Sequence, residues 1–70
     1  MENYITVFVN GEPFNCQYSM SLEKLLLYLN FNINTILVEH NQEIINQNLF
    51  SSLSLKNYDN IEIITIVGGG

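Results

Sequence analysis

The chain has no arginine, no alanine and no tryptophan, a single cysteine, a single proline and only two lysines. Each shortage removes a class of function. With Cys16 alone there is no second thiol for an internal disulfide or a paired-cysteine metal site, and a reducing compartment is the simplest inference. Two lysines against seven acids leave a formal net charge of −5. That sign opposes both a nucleic-acid backbone and an anionic membrane surface, so neither is expected as a partner. No stretch approaches the roughly 18 consecutive apolar residues of a membrane span. Met1-Glu2-Asn3-Tyr4 lacks the cationic start and long apolar core of a signal peptide. His40 is the one histidine. With Glu39 and Glu43 nearby but no Cys/His set around it, it reads as solvated turn polarity, and no metal site is expected. Cys16 alternates inward with Phe14 and has no base beside it, so it reads as a small buried apolar residue, not a nucleophile. No acid/base or nucleophile constellation marks the chain as an enzyme.

What is present is isoleucine, nine copies, and asparagine, eleven copies scattered along the chain. Codon bias in an AT-rich genome gives such a composition, which fits a plastid or an AT-rich bacterium. The expected location is the cytoplasm or the plastid stroma. Seventy residues make one small domain, residues 1–70, burying only about 60% of its unfolded surface. Residues 4–9 are β-branched and aromatic, Asn10-Gly11 is a two-residue hairpin signal, and residues 13–18 alternate apolar and polar. The spacing then changes to that of a helix. Ser19 and Ser21 offer N-cap oxygens, and Leu22, Leu25, Leu26 and Leu29 share one face. The helix is expected over about residues 21–30. Ile36-Leu37-Val38-Glu39 reads as a strand, residues 40–43 as a turn, and Ile44-Ile45 as a short return. Residues 46–58 look irregular, with Leu49, Phe50, Leu53 and Leu55 pinning the core, and residues 61–67 form the last strand.

One helix covers one face of a sheet. The expected core is Ile5, Val7, Val9, Phe14, Cys16, Ile61 and Ile63 against the four helix leucines. Phe8, Ile64 and Ile66 fall out of phase and point outward. If the first and last strands are neighbours, these three lie within contact reach as one apolar patch, and with Val67 they form the candidate partner interface. The other reading is that the loop at 46–58 covers them.

After residue 67 come Gly68-Gly69-Gly70. They form no phosphate loop, because no helix and no Lys-Ser/Thr follow. Read as a chain end, they are either a frayed tail or a flexible stalk carrying a terminal carboxylate roughly 10 Å from the body. Glycines lack Cβ, so such a stalk can enter a channel too narrow for side chains.

Five segments in order carry a family resemblance. They are the hairpin at Asn10-Gly11, the helix start Ser21-Leu22-Glu23-Lys24-Leu25-Leu26, the segment Val38-Glu39-His40-Asn41-Gln42-Glu43-Ile44-Ile45, the strand entry Asp59-Asn60-Ile61-Glu62-Ile63, and Val67-Gly68-Gly69-Gly70. Over essentially the whole chain the sequence resembles the thiamine-biosynthesis sulfur carriers of the ThiS family, small ubiquitin-like β-grasp proteins. One departure stands out: the family often has Gly-Asp before the last strand, where this chain has Tyr58-Asp59. The resemblance implies an α+β fold, a mixed sheet of four or five strands on one main helix, with the first and last strands adjacent and parallel. It also implies a carrier and not an enzyme. An E1-like adenylyltransferase consumes ATP to adenylate the Gly70 carboxylate, with Gly68 and Gly69 threading into its site. A sulfur donor such as a cysteine desulfurase system then displaces AMP, leaving a thiocarboxylate that thiazole synthase uses. No cofactor is implied to bind the carrier itself. Two alternatives stay open. The small subunit of molybdopterin synthase is similar but usually has prolines before its diglycine, and none stands in Ile64-Thr65-Ile66-Val67. A ubiquitin-like interaction module would tolerate residues appended after Gly70.

Overall fold

The structure is a computed structural model, and it describes residues 3–66. Gly68, Gly69 and Gly70 of the expected stalk, and Val67 of the expected partner interface, lie outside the described residues. The chain runs β1 (Tyr4–Val9), β2 (Glu12–Gln17), α1 (Leu22–Tyr28), β3 (Ile36–His40), β4 (Glu43–Ile44) and β5 (Asn60–Thr65). Short 3-10 turns at Ile33–Thr35 and Gln47–Leu49 fill two of the connections.

The strands form one mixed sheet in the order β2-β1-β5-β3-β4. β1 and β5 are adjacent and parallel, and every other pairing is antiparallel. The sheet therefore has the expected β-grasp arrangement. Asn10 at φ 50 and Gly11 at φ 85 make the tight hairpin turn, since Asn and Gly hold left-handed backbone most readily.

α1 begins at Ser21, whose side chain accepts a hydrogen bond from the Lys24 N–H. It ends earlier than the leucine spacing predicts. Asn30 turns left-handed at φ 67, its N–H bonds Leu27 O, and the Phe31 N–H bonds Leu26 O. That paired closure stops the helix at Tyr28. Seven residues are too few for a helix to stand alone, so packing must hold it. Leu22, Leu25 and Leu26 are fully buried against Val7, Val38 and Ile61. Each such side chain contributes about 1.5–3 kcal/mol relative to exposure.

Phe50 and Leu55 are buried in this core, while Val9, Phe14, Leu29 and Leu53 pack half-buried at its rim. Leu49, expected as a core pin, is exposed, because the 3-10 turn sends Phe50 inward in its place. The segment after that turn is tied to the helix start: the Leu22 N–H bonds Leu53 O and the Glu23 N–H bonds Phe50 O. The loop thus wraps the helix side of the sheet and leaves Ile64 and Ile66 exposed. β5 ends at Thr65, the last residue paired with β3, opposite Ile36.

Candidate functional site

β5 leads toward the glycine end, so its two neighbours decide how that end is presented. Along β3 it is held by five register pairs, from Ile36 opposite Thr65 to His40 opposite Ile61. Along β1 the pairing is short: Phe8 stands opposite Asn60 and Val9 opposite Ile61. Past that point a side chain continues the ladder. Asn10 Oδ1 accepts the Ile63 N–H at 2.7 Å, so the hairpin turn rests against β5 two residues beyond the last pair.

The root of β5 is pinned from the helix side. Asp59, nearly buried, accepts the Lys56 N–H and a His40 Nε2 hydrogen bond at Oδ2, both at 2.8 Å. Its Oδ1 accepts Asn41 Nδ2 at 3.1 Å, and Asn41 Oδ1 accepts the Asn60 N–H. Burial alone raises the Asp59 pKa. The hydrogen bonds from His40, Lys56 and Asn41, aided by the coulombic effect of His40, outweigh it and hold the carboxyl below its ordinary value. His40 is therefore not the solvated turn residue expected from its neighbours. It closes β3 and is half-buried in this network. Cys16 is buried as expected, and burial pushes its thiol pKa up, away from nucleophilic character.

The face of the sheet opposite the helix carries Phe8 on β1, Glu62 and Ile64 on β5, and Leu37 and Glu39 on β3, by strand alternation from the buried Val7, Val38 and Ile63. Ile64 and Ile66 are exposed, while Phe8 is half-buried. The register corrects the expected three-residue contact. Phe8 is level with Asn60, four residues before Ile64, which is roughly 13 Å along the strand. The direct apolar partner of Ile64 is Leu37 of β3. Beside them Glu39 opposes Glu62, and Ile44 of β4, also exposed, opposes Glu39. Leu37, Ile44 and the two glutamates were missed because Ile36-Leu37-Val38-Glu39 reads as a uniformly buried run. Its alternation shows only once β5 is laid beside it. Among the described residues no group of three His, Cys, Asp or Glu side chains could hold a metal ion, and no helix is long and apolar enough to cross a membrane.

Compared with known proteins, residues 7–70 match the ThiS family model. The chain belongs to the ThiS family. It is similar to the uncharacterized protein ycf40 of Porphyra purpurea and that of Pyropia yezoensis. Each is 48% identical over 66 residues, covering 94% of this chain and 93% of the relative. It also matches a thiazole synthase of Magnetococcus marinus, 33% identical over 64 residues. That match covers 91% of this chain but 20% of the synthase. The crystal structure of the thiamine biosynthesis protein ThiS from Geobacter metallireducens superposes with a TM-score of 0.81 at 28% identity, over 94% of this chain and all of that one. The ubiquitin-like β-grasp fold of the ThiS family is thus the fold of this chain.

Proposed function

We propose that this chain is a sulfur carrier for thiazole formation in thiamine biosynthesis and that its reacting group is the Gly70 carboxylate. The observation that carries this reading is the family match, which spans residues 7–70 and so includes the three glycines. A carboxylate is a poor electrophile because its charge is delocalised. An E1-like adenylyltransferase makes it reactive by exchanging pyrophosphate of ATP for the carboxylate oxygen, forming an acyl-adenylate. The outer sulfur of a donor persulfide, such as that of a cysteine desulfurase system, then displaces AMP to give an acyl disulfide. A second thiol cleaves its S–S bond, releasing the thiocarboxylate and leaving a disulfide on the thiol side. The carrier acts as a co-substrate, and no cofactor bound to it enters the scheme. Gly68 and Gly69 thread the channel, and the open face with Phe8, Ile64, Ile66 and Val67 meets the partner. The match to part of a thiazole synthase supports that enzyme as the sulfur acceptor. The ycf40 relatives, a class encoded by plastid genomes, support a plastid setting.

The deciding experiment is the intact mass of the chain after incubation with an E1-like enzyme, ATP and a sulfur source. Exchange of one oxygen for sulfur at Gly70 is expected. A chain extended past Gly70, or lacking it, should remain unmodified although folded. Equal conversion of the extended chain without processing overturns the reading.

A further inference from the structure

Glu39 and Glu62 stand directly opposite each other in the β3–β5 register, on the open face, and both are half-buried. Directly opposed residues in an antiparallel pair have Cβ atoms about 4.5–5.5 Å apart, where like charges repel. No cation among the described residues faces the pair in the sheet register: the two lysines lie elsewhere, Lys24 on α1 and Lys56 in the loop before Asp59. Among the described residues the one acid–base contact at salt-bridge distance is His40–Asp59, at the root of β5. Apolar side chains border the pair on two sides: Leu37 and Ile64 flank it along the strands and Ile44 opposes Glu39 from β4, while Asn60 precedes Glu62 on the remaining side of β5. A sheet built only for stability has no use for two facing carboxylates beside exposed apolar side chains.

We propose that Glu39 and Glu62 together receive one guanidinium of the adenylating partner, while Leu37, Ile44 and Ile64 receive the apolar side chains around it. This rests on the sulfur-carrier reading for the partner's identity. Charge complementarity selects the occupant: the carrier's formal charge is −5, so a basic counter-surface is favoured. The guanidinium fits better than an ammonium. Its planar fork of donors can serve two carboxylates at once, and its weaker hydration suits an apolar rim. Continuity supports the same partner, because β5 carries Glu62 and Ile64 on this face and leads on to the reacting end.

The test is binding of the full chain to the E1-like adenylating enzyme of the same organism, by calorimetry without ATP, so that tail chemistry is not read. Glu39→Gln and Glu62→Gln should each weaken binding about tenfold or more at low salt. The double variant should weaken it by less than the product of the two, since both carboxylates hold one cation. The free variants should melt no lower than the parent, because a repulsion has been removed. Glu23→Gln on α1 makes the same change in net charge and should leave affinity within about twofold. Unchanged affinity in both glutamine variants overturns the proposal, as does an equal loss in Glu23→Gln, which marks general charge steering. A parent chain that fails to bind overturns it too. A parent that binds but is not adenylated instead overturns the sulfur-carrier reading and leaves the face proposal standing.

Discussion

Replacing Asp59 tests how the root of β5 is held. The residue is 7% exposed, and its carboxylate accepts three hydrogen bonds, from the Lys56 N–H, His40 Nε2 and Asn41 Nδ2. Hydrogen bonds to a charged group contribute about 1.5–3 kcal/mol each when measured singly. The three share one acceptor group and cannot simply be added, so Asp59→Ala should lose about 3 kcal/mol. A domain of this length has a total stability of about 4–10 kcal/mol. The loss should lower the melting temperature by roughly 12–24 °C. Asp59→Asn keeps the shape and should lose about half as much. With its oxygen kept toward Lys56 and His40, its amide faces the Asn41 amide, donor against donor. Flipping Asn41 would take its oxygen from the Asn60 N–H.

The pH dependence gives a second handle with a fixed sign. Asp59 is held below its ordinary pKa in the fold, so between the two values the unfolded chain binds more protons and stability rises with pH. The contribution is fully present above the ordinary carboxylate value of about 4 and fades as pH falls through the lowered one. Urea denaturation of the parent and Asp59→Asn across this range should show a gap that is constant near neutrality and narrows in acid. A gap as wide at about pH 3 as at about pH 7, or an Asp59→Ala loss under about 1 kcal/mol, refutes the reasoning.

Leu25→Ala should lose about 2–5 kcal/mol by opening a cavity beneath the sheet, whereas half-buried Phe8→Ala should lose about 1 kcal/mol and act mainly on partner affinity. Equal urea midpoints for the two would move Phe8 from the docking face to the core. Tyr58 holds φ 70 while its side chain is exposed. A left-handed residue with Cβ carries about 1–2 kcal/mol of strain, and glycine's extra unfolded-state freedom offsets about half. Tyr58→Gly should therefore raise stability by about 0.5–1 kcal/mol in thermal melts, and a decrease refutes strain at this turn.

The local devices were legible because each rests on neighbours in sequence. Asn10-Gly11 sets its turn through its own dihedral preferences, and the leucines of α1 declare one face by spacing alone. The Tyr58 departure was legible too: the family's frequent glycine falls where the backbone is left-handed. Illegible were features set by distant partners. The register that separates Phe8 from Ile64 depends on a short parallel pairing and on Asn10 bonding Ile63, 53 residues away. Asp59 looks like a local turn former, and its lowered pKa comes partly from His40, 19 residues earlier. The facing glutamates emerge only when β3 and β5 are aligned.

The arrangement of β5 explains why a weak docking face can suffice for a sulfur carrier. Its root is fixed by Asp59 and its middle by β3, while Asn10 braces the β1 side as far as Ile63. If Gly70 carries the reacting carboxylate, as proposed, four residues separate it from Ile66 and span at most about 14 Å when extended. A partner that grips Glu62 and Ile64 therefore confines the carboxylate to a small sphere, with an effective concentration of millimolar order or above. The proposed adenylation would need the reacting oxygen within about 3–3.5 Å of its target, and such confinement would supply much of that entropy in advance. On the sulfur-carrier proposal, a hydrogen-bonded strand followed by a glycine run separates two demands: recognition falls on the paired sheet, and reaction falls on residues without side chains to obstruct the approach.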